Sequence, residues 1–142
     1  MKCPRCHDAL LTLEHEGLEL DYCDQCHGIW LDRTELHGFA AQSGPQSRLR
    51  ELVTLHGRVR WLRAPRCPIC HRRMREVRLP IARHGELQLD RCPRGCGIWF
   101  DRGELPALLE HAPLAAQPQL TQTLRTFFGR LPGPLPTGDT AP

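Results

Sequence analysis

Two stretches of this chain are near copies of each other, and each carries paired cysteines. One runs Cys-Asp-Gln-Cys-His-Gly-Ile-Trp-Leu-Asp-Arg-Thr-Glu-Leu from Cys23 to Leu36. The other runs Cys-Pro-Arg-Gly-Cys-Gly-Ile-Trp-Phe-Asp-Arg-Gly-Glu-Leu from Cys92 to Leu105. Gly28/Gly97, Ile29/Ile98, Trp30/Trp99, Asp32/Asp101, Arg33/Arg102, Glu35/Glu104 and Leu36/Leu105 match position for position. Each copy lies downstream of its own Cys-Pro-x-Cys-His, at Cys3 to His7 and at Cys67 to His71. Eight cysteines thus fall into two sets of four, with none left over. Internal repetition of this kind fixes the architecture before any other reading: the chain is a tandem pair of small units.

Each unit is about 40–45 residues, a size at which a hydrophobic core alone is insufficient and a metal or disulfides must contribute. Met1-Lys2 leads directly into Cys3 with no apolar leader, and no apolar run reaches the roughly 18 residues of a membrane span. The expected location is the cytoplasm, without membrane association. There, paired CxxC motifs favour metal over disulfide.

Between the cysteine pairs the pattern is that of a hairpin. Leu11 and Leu13 alternate with polar residues, as do Leu18, Leu20 and Tyr22, with His15-Glu16-Gly17 as the turn. The second hairpin spans roughly 74–91, with Val77, Leu79, Leu87 and Leu89 as its apolar positions and His84-Gly85 as its turn. A short third strand follows from Gly28 to Leu31. Asp32-Arg33-Thr34-Glu35 and Asp101-Arg102-Gly103-Glu104 have the spacing of capping boxes, with aspartate as N-cap. Short helices are therefore expected after each, with Leu36 and Phe39 inward in the first and Leu105, Leu108 and Leu109 in the second. Ser47 opens a further amphipathic helix with Leu49, Leu52, Val53 and His56 on one face, ending at Gly57. Leu120, Leu124, Phe127, Phe128 and Leu131 form an apolar stripe in the tail, beyond which the chain is too rich in Pro and Gly to fold alone.

The hairpins bring each CxxC back beside its partner pair, presenting four thiolates as a tetrahedron. Zn²⁺ favours that arrangement, and a four-cysteine site is closed and structural. The ligand sets are Cys3, Cys6, Cys23, Cys26 and Cys67, Cys70, Cys92, Cys96, giving two zinc ions per chain. The last pair is spaced CxxxC, and Gly95 is expected to bend the backbone so that Cys96 still reaches the metal. His7, His27 and His71 each follow a cysteine and are read as lying outside the ligand set. Trp30 and Trp99 are expected to pack over their knuckles and capping helices. Arg5, Arg72 and Arg94 are placed to soften the negative charge of the thiolates. No nucleophile–base constellation, HExxH or Gly-rich phosphate loop is present, so no enzymatic activity and no small-molecule substrate are expected.

The net charge of +3 is unevenly spread. Residues 1–42 sum to −5, residues 43–66 to +5, residues 67–112 to +2 and the remainder to +1. Arg48, Arg50, Arg58, Arg60, Arg63 and Arg66, with Trp61 among them, make a candidate nucleic-acid contact surface of phosphate-binding arginines and a stacking indole. The competing account folds this basic segment against the acidic first unit.

The pattern Cys-Pro-x-Cys … Cys-x-x-Cys-x-Gly-x-Trp-Leu-Asp-x-x-Glu-Leu resembles the bacterial zinc ribbons of the transcription-factor-IIB type. Both repeats carry it. His7 and His71 stand where that family has glycine, and Cys96 occupies the slot of a histidine ligand in some members, which supports it as a ligand. The resemblance implies zinc binding and a ribbon fold, and no defined activity. The fold class is therefore small, metal-stabilised and β-rich: two zinc ribbons, each a hairpin plus a short third strand and a short helix, with a helical linker and a flexible C-terminal tail. The boundaries are 1–42 and 66–112 for the ribbons, 43–65 for the linker and 113–142 for the tail. The expected function is a non-enzymatic macromolecule-binding module. Nucleic acid is the first partner considered, with a protein–protein adaptor as the second. A rubredoxin-like iron electron-transfer protein is the reading from a different class, since rubredoxins share the knuckles but not the Trp-Leu-Asp-x-x-Glu-Leu trailer.

Overall fold

The computed structural model describes residues 1–15, 17–42, 51–52, 57, 64–81 and 85–110. Its elements are β1 (Leu11–His15), β2 (Leu18–Tyr22), β3 (Ile29–Asp32), α1 (Arg33–Gln42), β4 (Arg75–Ile81), β5 (Gly85–Arg91), β6 (Gly97–Phe100) and α2 (Glu104–Glu110). The two hairpins, third strands and capping helices expected from sequence are all present. The linker-helix positions Leu49, Val53 and His56, residues 58–63 and the tail from 111 lie outside the described residues. Glu51 and Leu52 are helical, and Leu52 is buried in the core.

The strands form a single six-stranded sheet in the order β1-β2-β3-β6-β5-β4. The two ribbons join at its centre, where β3 and β6 pair antiparallel with Ile29↔Phe100, Trp30↔Trp99, Leu31↔Ile98 and Asp32↔Gly97 in register. The repeats are thus related by an approximate two-fold axis between their third strands. Each is short of partners alone: β3 makes only the pairs Asp21↔Trp30 and Tyr22↔Ile29 with its own hairpin. Pairing the two third strands removes what would otherwise be an exposed sheet edge on each ribbon.

Side-chain alternation assigns the two faces different work. Ile29, Leu31, Ile98 and Phe100 point to the helix side and pack with Leu20, Leu36, Phe39, Leu52, Leu105 and Leu108. Trp30 and Trp99 point to the other side, into a cluster with Cys3, Cys23, Cys67, Cys92 and Met74. Both central strands are consequently buried on both faces. Each indole is fully buried, and at roughly 200 Å² apiece this contributes about 5 kcal/mol by area, the largest apolar contribution on the metal side.

The position of the tryptophans corrects the sequence reading. They do not pack against the capping helices, which lie on the opposite face. Nor does each serve only its own knuckle. A Cβ added at Gly28 would lie 2.0 Å from the Trp99 ring, and one added at Gly97 would lie 2.6 Å from the Trp30 ring. Each indole therefore rests on the glycine that follows the last cysteine of the other repeat. The missing side chain at each glycine leaves room for the neighbouring ribbon's ring.

The two capping boxes also differ. At α1 both arms form: Asp32 N–H donates to Glu35 Oε2 at 2.8 Å, and Glu35 N–H donates to Asp32 Oδ1 at 2.8 Å. At α2 Asp101 N–H donates to Glu104 Oε2 at 2.7 Å, but Glu104 N–H goes to the backbone carbonyl of Asp101 at 3.0 Å. The Asp101 carboxylate is engaged elsewhere, so the expectation that it caps its helix is corrected.

Candidate metal centres

Four tight knuckles carry the cysteines. In three of them the amide of the residue after the second cysteine donates to the carbonyl of the first: His7 to Cys3, His27 to Cys23 and His71 to Cys67, each at 2.9 Å. These histidines have φ of 65°, 60° and 61°. That left-handed conformation is uncommon outside glycine, but histidine tolerates it better than most residues. The fourth knuckle closes one residue earlier, with Gly95 N–H donating to Cys92 O at 3.0 Å and Gly95 at φ 76°. Its overall span is unchanged, since Cys92 N–H reaches Gly97 O at 3.0 Å just as Cys23 N–H reaches Gly28 O at 3.0 Å. Gly95 thus moves the left-handed bend forward, and Cys96 takes up the shifted ligand position.

The result is two clusters of four sulfurs. Within Cys3, Cys6, Cys23 and Cys26, and within Cys67, Cys70, Cys92 and Cys96, all Sγ atoms lie within 4.8 Å of one another. The Cys3–Cys26 and Cys70–Cys92 sulfurs are 3.6 Å and 3.5 Å apart. A tetrahedron with Zn–S near 2.3 Å has edges of about 3.8 Å, so a zinc ion fits each cluster. In each set two cysteines are buried and two partly exposed. With four thiolates per ion the coordination is closed.

The surroundings suit thiolates. Backbone N–H groups of Arg5 and Cys6 donate to Cys3 Sγ at 3.3 Å and 3.2 Å, Ile69 N–H to Cys67 Sγ at 3.4 Å and Arg94 N–H to Cys92 Sγ at 3.3 Å. Such bonds spread the net negative charge of a four-thiolate site. Burial pushes the Cys96 thiol up to about 11 and raises Cys3, Cys26 and Cys67 as well. The Arg72 N–H lowers Cys70 to about 7. Against the effect of its burial, hydrogen bonds from Cys26 and Gln25 N–H and from Cys3 lower Cys23 as well. The raised thiols keep their protons without metal, and zinc binding releases them.

Arg5 does not serve the thiolates through its side chain, contrary to the sequence reading. Its guanidinium crosses to the second ribbon, where Nε and Nη2 donate to the two Asp101 oxygens at 3.0 Å and 2.8 Å and Nη2 also donates to Asp90 Oδ2 at 2.9 Å. Asp101 Oδ1 accepts the Trp99 indole N–H at 2.9 Å as well. Sequence reasoning passed over Asp90 and Asp21. The signal was available: an aspartate stands two residues before the third cysteine in both repeats. His27 Nδ1 hydrogen-bonds the Tyr22 hydroxyl, against whose ring it stacks, and stands outside the four-sulfur cluster.

Of the seven predicted nucleic-acid contacts, Arg48, Arg50, Arg58, Arg60, Trp61 and Arg63 lie outside the described residues. Arg66 is described and exposed. With Lys2, Arg73, His7 and His71 it lines a cleft of about 800 Å³ between the first knuckles of the two ribbons, lined also by Pro4, Pro65, Pro68 and Ile69 and, among the described residues, by no carboxylate. A smaller cleft of about 380 Å³ beside the second metal centre is lined by Arg33, His37, Arg91 and Arg94. No helix among the described residues is long and apolar enough to cross a membrane.

A family model described as a transcription factor zinc-finger, the TFIIB-type zinc ribbon, matches the chain twice, over residues 2–41 and 66–111. Each match contains one four-sulfur cluster, and together they cover more than half of the sequence. No curated protein and no solved structure matches the chain.

Proposed function

Because this chain belongs to the TFIIB-type zinc-ribbon family, as two tandem copies with one zinc ion each, we propose that it is a non-catalytic module that binds nucleic acid across its two first knuckles. The observation that carries this reading is the cleft between them. Lys2, Arg66 and Arg73 come from two separate repeats, yet meet at one groove with His7 and His71 and, among the described residues, without a carboxylate. The isolated bridges Lys2↔Ala9 and Arg66↔Arg73 hold these basic residues beside the metal knuckles. A groove of one sign, fixed by rigid metal sites, suits the regular negative charge of a phosphate backbone. The arginines at the smaller cleft extend the basic surface. The closed coordination of both zinc ions supports a role without catalysis, and the reduced state that eight thiolates require supports a cytoplasmic location.

Fluorescence anisotropy with labelled single- and double-stranded probes tests the reading. Binding is expected at low salt and to weaken steeply as salt rises. Replacing Lys2, Arg66 and Arg73 by alanine should flatten the salt slope by about one for each phosphate that is no longer neutralised. Absence of binding to every probe at low salt contradicts the proposal.

A further inference from the structure

The pseudo-symmetry allows one ribbon to serve as a template for the other. In the second ribbon Asp90, Trp99 and Asp101 share the metal face. Asp90 is the cross-strand partner of Trp99, and Asp101 lies two residues beyond it. Arg5, from the opposite repeat's first knuckle, is clamped between the two carboxylates. The first ribbon repeats the arrangement: Asp21 pairs with Trp30, and Asp32 lies two residues on. The residue that corresponds to Arg5, however, is Ile69. It carries no charge and is 47% exposed.

Two groups are left without the partners their counterparts have. Asp21 is only 4% exposed, and its carboxylate accepts one side-chain hydrogen bond, from the Thr12 hydroxyl at 2.7 Å. Among the described residues no cation lies within ion-pair distance of Asp21 or Asp32. The Trp30 indole N–H, in a residue of 0% exposure, has no acceptor among the described residues. Its counterpart on Trp99 donates to Asp101. A buried carboxylate without a cation and a buried N–H without an acceptor are both costly. The Asp32 carboxylate is the natural acceptor for Trp30, but it is turned to cap Glu35. In the second ribbon Arg5 holds Asp101 away from that cap and onto the indole. An arriving guanidinium would do the same to Asp32.

We propose that the Asp21–Asp32 face of the first ribbon is a receptor for an arginine side chain of a protein partner, bound as Arg5 is bound by Asp90 and Asp101. The forked guanidinium matches two carboxylates in a way that an ammonium does not. The −5 charge of residues 1–42 favours approach of a basic segment, and Ile69 offers apolar surface next to the opposite repeat's knuckle. Burial, with the nearby Asp32, Asp21 and Glu19 carboxylates adding to it, raises the Glu35 carboxyl to about 7.

The test uses the zinc-loaded, nitrogen-15-labelled full chain and the tripeptide acetyl-Gly-Arg-Gly-amide. On titration the Trp30 indole N–H resonance should shift saturably while that of Trp99 stays in place. The matching lysine peptide should bind about tenfold more weakly. In Ile69→Arg the new arginine should move the free protein's Trp30 resonance toward that of Trp99, and affinity for the arginine peptide should fall about tenfold as the site fills itself. Absence of a selective Trp30 shift, equal response to the lysine peptide, or an Ile69→Arg chain that binds the peptide as the parent does would each overturn the proposal.

Discussion

The first and second ribbons share a trailer sequence, a metal geometry and a place in one sheet, yet they solve the same electrostatic problem differently. In the second, the aspartate after the tryptophan leaves its helix to bind Arg5 and the indole. In the first, the equivalent aspartate stays on its helix and the indole has no acceptor among the described residues. A single difference between the first knuckles, Arg5 against Ile69, accompanies the change. The comparison teaches that a capping-box spacing specifies which groups can meet, while a residue far away in sequence decides which of them do.

The largest effect is expected where the ribbons touch. A Cβ at Gly97 would lie 2.3 Å from the Leu31 carbonyl oxygen, as well as against the Trp30 ring. Gly97→Ala is therefore expected to cost about 3 kcal/mol or more, because the backbone of one ribbon cannot yield without unpairing the other. Thermal denaturation of the zinc-loaded protein measures it. A cost below about 1 kcal/mol would mean that the central strands are not locked together.

Breaking the electrostatic asymmetry comes next. Arg5→Ala removes the guanidinium's hydrogen bonds to Asp101 and Asp90. It is expected to destabilise by about 2 kcal/mol, a figure held down by the half-exposed position of the pair. Asp32→Ala removes only a helix cap and should cost about 1 kcal/mol without loss of zinc. Urea titrations of the two variants, with zinc content followed in parallel, check the order. A larger cost at Asp32 would contradict the distinction between the ribbons.

The smallest effect concerns protons. Burial, then the neighbouring Asp101 carboxylate, pushes Glu104 up to about 9. The folded state thus holds this proton more tightly than the unfolded chain does. Stability from this group is full below the ordinary carboxylate range and declines as pH rises toward 9. Glu104→Gln keeps an acceptor for the Asp101 N–H and carries no charge. It should raise stability at pH 8 by on the order of 1 kcal/mol and flatten the slope between pH 7 and 9. An unchanged slope would place the penalty elsewhere.

Much of this was legible in the sequence because it is local. The cysteine spacing gave the two four-sulfur clusters, the alternation of Leu18, Leu20 and Tyr22 gave a strand, and Asp32 to Glu35 marked the start of α1. Even the shifted place of Cys96 in the second cluster could be read, since Gly95 is the residue that can bend where Cys96 needs it. What was not legible is what depends on the pairing of β3 with β6. Those four-residue strands carry no alternation, being buried on both faces, and nothing in Gly-Ile-Trp announces that the glycine makes room for another repeat's tryptophan. The Arg5 clamp spans 96 residues of sequence, so neither its existence nor the resulting release of the Asp101 cap follows from spacing.

The central claim is that two zinc sites sustain one sheet whose halves complete each other. Native mass spectrometry during stepwise removal of metal by a strong chelator tests it most directly. Structural zinc supplies roughly 10–16 kcal/mol of apparent binding free energy in units of this size, and each ribbon here leans on the other's indole and strand. The expected spectrum contains a compact chain with two zinc ions and an expanded chain with none, with little between them. A compact one-zinc species accumulating as a stable intermediate would contradict the account, as would a fully loaded chain that holds a single zinc.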